Sequence, residues 1–135
     1  MSRGFSFPYK QIDGRFRPII PIGLEGTKAF GYEVLVDSGA DICIFHADIG
    51  RAIGLVIEKG QRFELGGVTG TERVGYLQKV TLKVGNIAYQ TKVGFTDSMR
   101  DGAYGMVGQK GFFDRFAIKF DYAERKIVLH KKKWT

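Results

Sequence analysis

Val34-Leu35-Val36-Asp37-Ser38-Gly39-Ala40 is a buried-strand sequence that runs straight into a carboxylate, a hydroxyl and a glycine. Three successive apolar residues rich in Val and Leu suit a sheet position covered on both faces. Asp and Gly are both poor strand residues, so the strand stops at Asp37. The acid therefore sits where a rigid element meets a tight loop, a common address for catalytic groups. Asp-Ser-Gly is also ordinary turn chemistry, and the triplet alone does not separate the two readings.

The bulk composition narrows the field around that stretch. A chain of 135 residues makes one domain with a proper core, residues 1–135, in which 1–17 read as an N-terminal arm. The apolar share of 44% and charged share of 26% are those of an ordinary globular protein. Glycine is the exception, at 19 of 135 residues against a usual share of about 7%. With few prolines and no Gly-rich tract, those glycines belong to scattered tight turns, the mark of an all-β chain. The single cysteine, Cys43, forms no intrachain disulfide and fits a reducing compartment. It lies in the apolar run Ile42-Cys43-Ile44-Phe45, as an inert buried thiol would. Two histidines, His46 and His130, with one cysteine give no metal-ligand spacing, so neither metal nor other cofactor is expected. No apolar run has membrane-spanning length, and Met1 to Gln11 lacks the apolar core of a secretory signal; the expected location is the cytoplasm. The net charge of +7 invites a nucleic-acid reading, but the basic residues are dispersed and only Lys131-Lys132-Lys133 forms a run.

Working outward from Asp37, the chain alternates short strands with turns. Pro18 to Ile22 is strand-like, and its two prolines, which cannot donate to a ladder, place it at an edge. Glu25 to Lys28 turn the chain, and Ala29 to Val36 return it to Asp37. Ile42 to Phe45 is a second apolar strand, followed by a short helix from Ala47 to Ile53, opened by His46 and stopped by Gly54. Gln61 to Leu65 is a strand, and Gly66-Gly67-Val68-Thr69-Gly70 then reads as a flexible hairpin tip. Val80, Leu82 and Val84 alternate, Gly85-Asn86 turns, and Ile87, Tyr89, Thr91, Val93 and Phe95 alternate again: a hairpin with one buried face. Gly105-Met106-Val107-Gly108 is a compact apolar pair between glycines, and Gly111 to Phe116 has room for one or two helical turns. Ala117 to Tyr122 and Lys126 to His130 form a last hairpin. Eight or nine short strands with two brief helices make a small β-barrel.

The chemistry open to such a chain is limited. His46 and His130 give Ser38 no evident general base, and no Gly-rich loop carries the lysine of a phosphate site. Asp37 remains. Hydrolysis of an amide by water asks one group to activate the water and another to protonate the carbonyl oxygen. Two carboxylates sharing a proton do both, because like charges in contact cannot both ionise. Asp13-Gly14 and Asp101-Gly102 lack the hydroxyl and the apolar lead-in strand, so the chain holds no second copy. A two-fold dimer would bring a second Asp37 to the axis. A catalytic Asp37 therefore implies a homodimer.

The apolar strand ending in Asp37-Ser38-Gly39-Ala40 and followed by Asp41, the glycine-rich tip some thirty residues on, and Gly105-Met106-Val107-Gly108 together resemble the retropepsin-like aspartic proteases, the single-domain, homodimeric branch of the pepsin clan. The likeness runs from about Pro18 to Leu129. The closing pattern Gly111-Phe112-Phe113-Asp114-Arg115-Phe116, then Ile118 to Tyr122, is similar to the bacterial members in particular. The resemblance implies a small closed acid-protease barrel and an endopeptidase acting on peptides or proteins. It implies Asp37 as the catalytic acid, Ser38 and Gly39 as supports of the paired acids, and Ala40 and Asp41 as substrate contacts. Gly67, Val68, Thr69 and Gly70 match a flap tip over the substrate, and Met106, Val107 and Gly108 match the segment packed beneath the active-site loop. The pattern departs at Gln109, where retroviral members have an arginine, and at Lys110, where many others have Asp or Asn. Two alternatives stand beside the active enzyme: a catalytically inactive dimeric peptide-binding or scaffold module of the same fold, and a basic nucleic-acid-binding barrel, which has no aromatic-and-basic strand pattern behind it.

Overall fold

A computed structural model describes residues 4–66 and 73–132. The chain is all-β. Among the described residues twelve strands accompany one short helix and one 3-10 turn.

The strand Ala29–Val36 (β5) lies in the sheet that carries most of the core, with Ile19–Glu25 (β4) antiparallel on one side and Gly105–Val107 (β10) parallel on the other. The Ile44–His46 strand (β6) continues beyond β10. It runs parallel to Ile87–Thr96 (β9), which forms the long hairpin with Arg73–Val84 (β8). The Gln61–Leu65 strand (β7) caps that hairpin. Residues Gly23 to Glu25 of β4 pair in turn with Thr81 to Lys83 of β8, so the ladder returns on itself as a barrel requires. The edge position expected from Pro18 and Pro21 holds only for the first half of β4. The β8 pairing starts at Gly23, and Pro21 has a single strand neighbour.

The turns follow the sequence closely. Val84 pairs with Ile87 across Gly85-Asn86, and Gly85 takes φ +59°, which a glycine-first two-residue turn requires. The helix Ala47–Ala52 (α1) ends ahead of Gly54, at φ +95°. Two expectations need correction. Gly111 to Phe116 makes hydrogen-bonded turns and no helix: Asp114 N–H reaches back to Gln109 C=O and Phe116 N–H to Phe112 C=O, so no regular ladder is repeated. Residues 4–17, part of the stretch read as an N-terminal arm, form strands paired within the chain. Gly4–Pro8 (β1) pairs with Lys126–Lys131 (β12), which pairs with Phe116–Asp121 (β11). Lys10–Ile12 (β2) and Arg15–Arg17 (β3) form a hairpin on Asp13-Gly14, both at positive φ. That Asp-Gly pair is a standard signal for a two-residue hairpin turn.

The core is one contiguous cluster. Phe45, Phe95, Phe112, Phe116, Leu24, Leu82, Ile127 and Leu129 are among its largest fully buried members, drawn from the β5 sheet, the β11–β12 pair and the turn before β11. Cys43 belongs to it as an inert thiol: burial pushes its pKa up to about 12. It should therefore ignore an aromatic disulfide reagent in the native protein and react once per chain in strong denaturant. Rapid reaction under native conditions would contradict this burial.

A surface ion pair ties α1 to the loop after β9. Arg51 donates two hydrogen bonds to Asp97, at 2.9 and 2.8 Å. The guanidinium holds the Asp97 carboxyl below its ordinary range. A depressed folded pKa contributes stability above the unfolded value of about 4 and loses it as pH falls through the folded one. Both side chains are about half exposed, which limits the pair to roughly 0.5–1 kcal/mol. Asp97→Asn should cost that much in urea melts near neutral pH, and the gap from wild type should close as pH falls below the ordinary carboxylate range.

Candidate active site

Asp37 follows β5 directly and is held by its surroundings at three points. Its backbone N–H donates to Val107 C=O at 3.0 Å, continuing the ladder to β10 one residue past the strand. Its Oδ1 accepts the Gly39 N–H at 2.9 Å. Its carbonyl accepts the Ala40 N–H at 3.2 Å, closing the turn Asp37-Ser38-Gly39-Ala40. Asp37 is partly buried, while Ser38, Gly39 and Asp41 are exposed.

The β10 segment supports this loop from below. Val34, Leu35 and Val36 pair in parallel register with Gly105, Met106 and Val107. Gly108 then passes so close to the loop that a Cβ on it would lie 2.4 Å from Ala40 O and 2.6 Å from Ile42 O. Beyond it, Gln109 N–H donates to Ala40 C=O at 2.8 Å and Lys110 N–H to Asp41 C=O at 3.0 Å. Two stretches seventy residues apart in sequence are thus laced together through backbone.

A groove of about 450 Å³ opens above Asp37. Gly39, Ala40 and Asp41 line it with Met106. Ile42, Ile44, Phe63, Glu64, Leu65 and Gly66 line it too, and sequence reasoning had not singled these out as site residues. Phe63 left a trace in the sequence. Its ring covers Gly75 and Gly94, where an added Cβ would come within 2.6 and 2.7 Å of it. Glycines inside otherwise regular strands mark such close approaches. The expected flap residues Gly67, Val68, Thr69 and Gly70 lie outside the described residues. The groove lies beside β7, which leads into them.

One further polar cluster lies elsewhere. His46, Asp48 and Asp101 bring ligand-type atoms within 4.8 Å of one another. His46 Nδ1 accepts the Asp48 N–H at 3.0 Å, which leaves the ring proton on Nε2, 3.1 Å from Asp101 Oδ1. Both ring nitrogens are engaged, and His46 opens α1 as its N-cap.

No protein-family model matches the chain, and no curated protein does either. Solved structures do. A crystal structure of a retropepsin-like aspartic protease from Rickettsia conorii superposes with a TM-score of 0.69 over 97% of this chain and 94% of that one, at 13% identity. EIAV protease in complex with the inhibitor HBY-793 superposes with a TM-score of 0.50 over 74% of this chain and 88% of that one, at 18% identity. The fold is retropepsin-like.

Proposed function

We propose that the chain is an aspartic endopeptidase, active as a homodimer in which two Asp37 carboxylates share one proton. The observation that carries this reading is the placement of Asp37: a partly buried acid directly after the buried end of β5 at Val34 and Val36, its loop fastened to β10, opening into an apolar-walled groove of a retropepsin-like fold. A water between the paired acids attacks the peptide carbonyl carbon. The ionised acid takes the water's proton, and the protonated one donates to the oxygen on which charge develops. Substrate lies extended along the groove, with Ile42, Ile44, Phe63, Leu65 and Met106 receiving apolar side chains and backbone groups pairing with the loop at Gly39 to Asp41. Ser38, next to the acid, supports the pair. In this reading residues 1–135 act as one protease domain, its first strand lying on β12. The single buried thiol suits a reducing compartment, and the proposed location is the cytoplasm. No helix among the described residues is long and apolar enough to cross a membrane.

The test is incubation with a mixed peptide library at several pH values, wild type beside Asp37→Asn, with products read by mass spectrometry. Cleavage confined to wild type is expected. Equal cleavage by both proteins would remove Asp37 from the mechanism, and a strict monomer at high concentration in sedimentation would remove the shared acid pair.

A further inference from the structure

Resting on the protease reading above, we infer that Gln109 is a positioning residue of the Asp37 loop, its neutral side-chain amide holding the Ser38 carbonyl from within the same chain. Gln109 touches the loop twice. Its backbone N–H donates to Ala40 C=O at 2.8 Å, and its Nε2 donates to Ser38 C=O at 2.9 Å. The two carbonyls flank Gly39, whose own N–H holds the Asp37 carboxyl oxygen at 2.9 Å. Gln109 is itself anchored, since its carbonyl accepts the Asp114 N–H at 3.0 Å and the preceding Gly108 is buried against the loop. A chain of bonds therefore runs from Asp114 through Gln109 to both sides of the residue that orients the acid.

The residue type matters. The Ser38 carbonyl only accepts hydrogen bonds, so its partner must be a donor. A lysine or arginine at 109 would donate as well, but would bring a full charge close to Asp41 and Asp37. Glutamine supplies the N–H without a charge, so the brace is indifferent to pH and salt. Glutamate has the same length and shape, and donates only when protonated. At neutral pH its carboxylate would face the Ser38 carbonyl oxygen, acceptor against acceptor. Below its pKa, ordinarily about 4.3, its O–H would restore the bond.

The experiment compares Gln109→Glu, Gln109→Leu and wild type. For Gln109→Glu, kcat relative to wild type should fall about tenfold near pH 7 and recover to within about threefold near pH 4, with KM little changed. Gln109→Leu should be impaired at both pH values. A second readout needs no substrate: the Gly39 and Ala40 amides, followed by NMR hydrogen exchange, should exchange at least about fivefold faster in Gln109→Leu than in wild type. A pH-independent kcat ratio for Gln109→Glu, or unchanged exchange at Gly39 and Ala40, overturns the inference. If wild type cleaves nothing at any pH, the protease reading fails while the exchange measurement still decides whether Gln109 braces the loop.

Discussion

Asp37→Asn should give a folded protein whose peptide cleavage is slower than wild type by at least about 10³-fold. The substitution keeps the size of the side chain and an oxygen able to accept the Gly39 N–H now bonded to Oδ1. The turn, and the bond from the residue's own N–H to Val107, need not change. What disappears is the capacity to take a proton from water, and in a dimer it disappears from both halves of the pair. Positioned acid–base groups each contribute about 10²–10⁴ to rate, and stabilisation of the developing oxyanion adds to this. The cost in stability should stay within about 1 kcal/mol, because the residue is only partly buried and its retained hydrogen bond is to backbone. Thermal melts and initial rates on one preparation separate the two effects. A variant that unfolds, or one that cleaves within a few-fold of wild type, contradicts the assignment.

Gly108→Ala should be the most damaging single methyl in the described chain for the site as a whole. Its Cβ would sit 2.4 and 2.6 Å from two backbone carbonyl oxygens, neither of which can rotate away. Relief requires moving either the Asp37–Ile42 loop or the β10 end that pairs with β5, and both moves displace the acid. Overpacking of this kind costs about 1–3 kcal/mol, a fall in Tm of roughly 3–15 °C for a chain of this size. A displacement near 1 Å at a reacting group costs on the order of 10² in rate. Gly31→Ala is the control: the position is on β5, nothing lies within 4 Å of the added carbon, and its φ is ordinary. It should leave both melting and cleavage close to wild type. Equal effects of the two substitutions would mean that the close packing at Gly108 is not what holds the loop.

Much of this arrangement was legible in the chain because it rests on local chemistry. The strand Ala29 to Val36, the Gly85-Asn86 turn, the helix between His46 and Gly54, and the closing hairpin around Ala123 to Arg125 each follow from period, turn residue or cap, and each stands where those signals put it. The N-terminal hairpin was missed although Asp13-Gly14 announces it, because only a three-residue strand flanks the turn on each side and no alternation has room to develop. Gly111 to Phe116 had the length of a helical turn, but backbone bonds to Gly108 and Gln109 pull it into irregular turns.

By itself the sequence determined that Asp37 ends a strand whose last residues are apolar, that the chain is all-β, and that only one such acid is present. These are properties of neighbours along the chain. Only the tertiary structure decided what stands beside the acid: Val107 accepting its N–H, Gly108 against Ala40 and Ile42, Gln109 on Ser38, and Phe63 across the groove. The parallel pairing of β5 with β10 joins residues about seventy apart, and parallel strands cannot be linked by a local turn. Their register is set by how the whole barrel packs, and no window of sequence around Asp37 contains it.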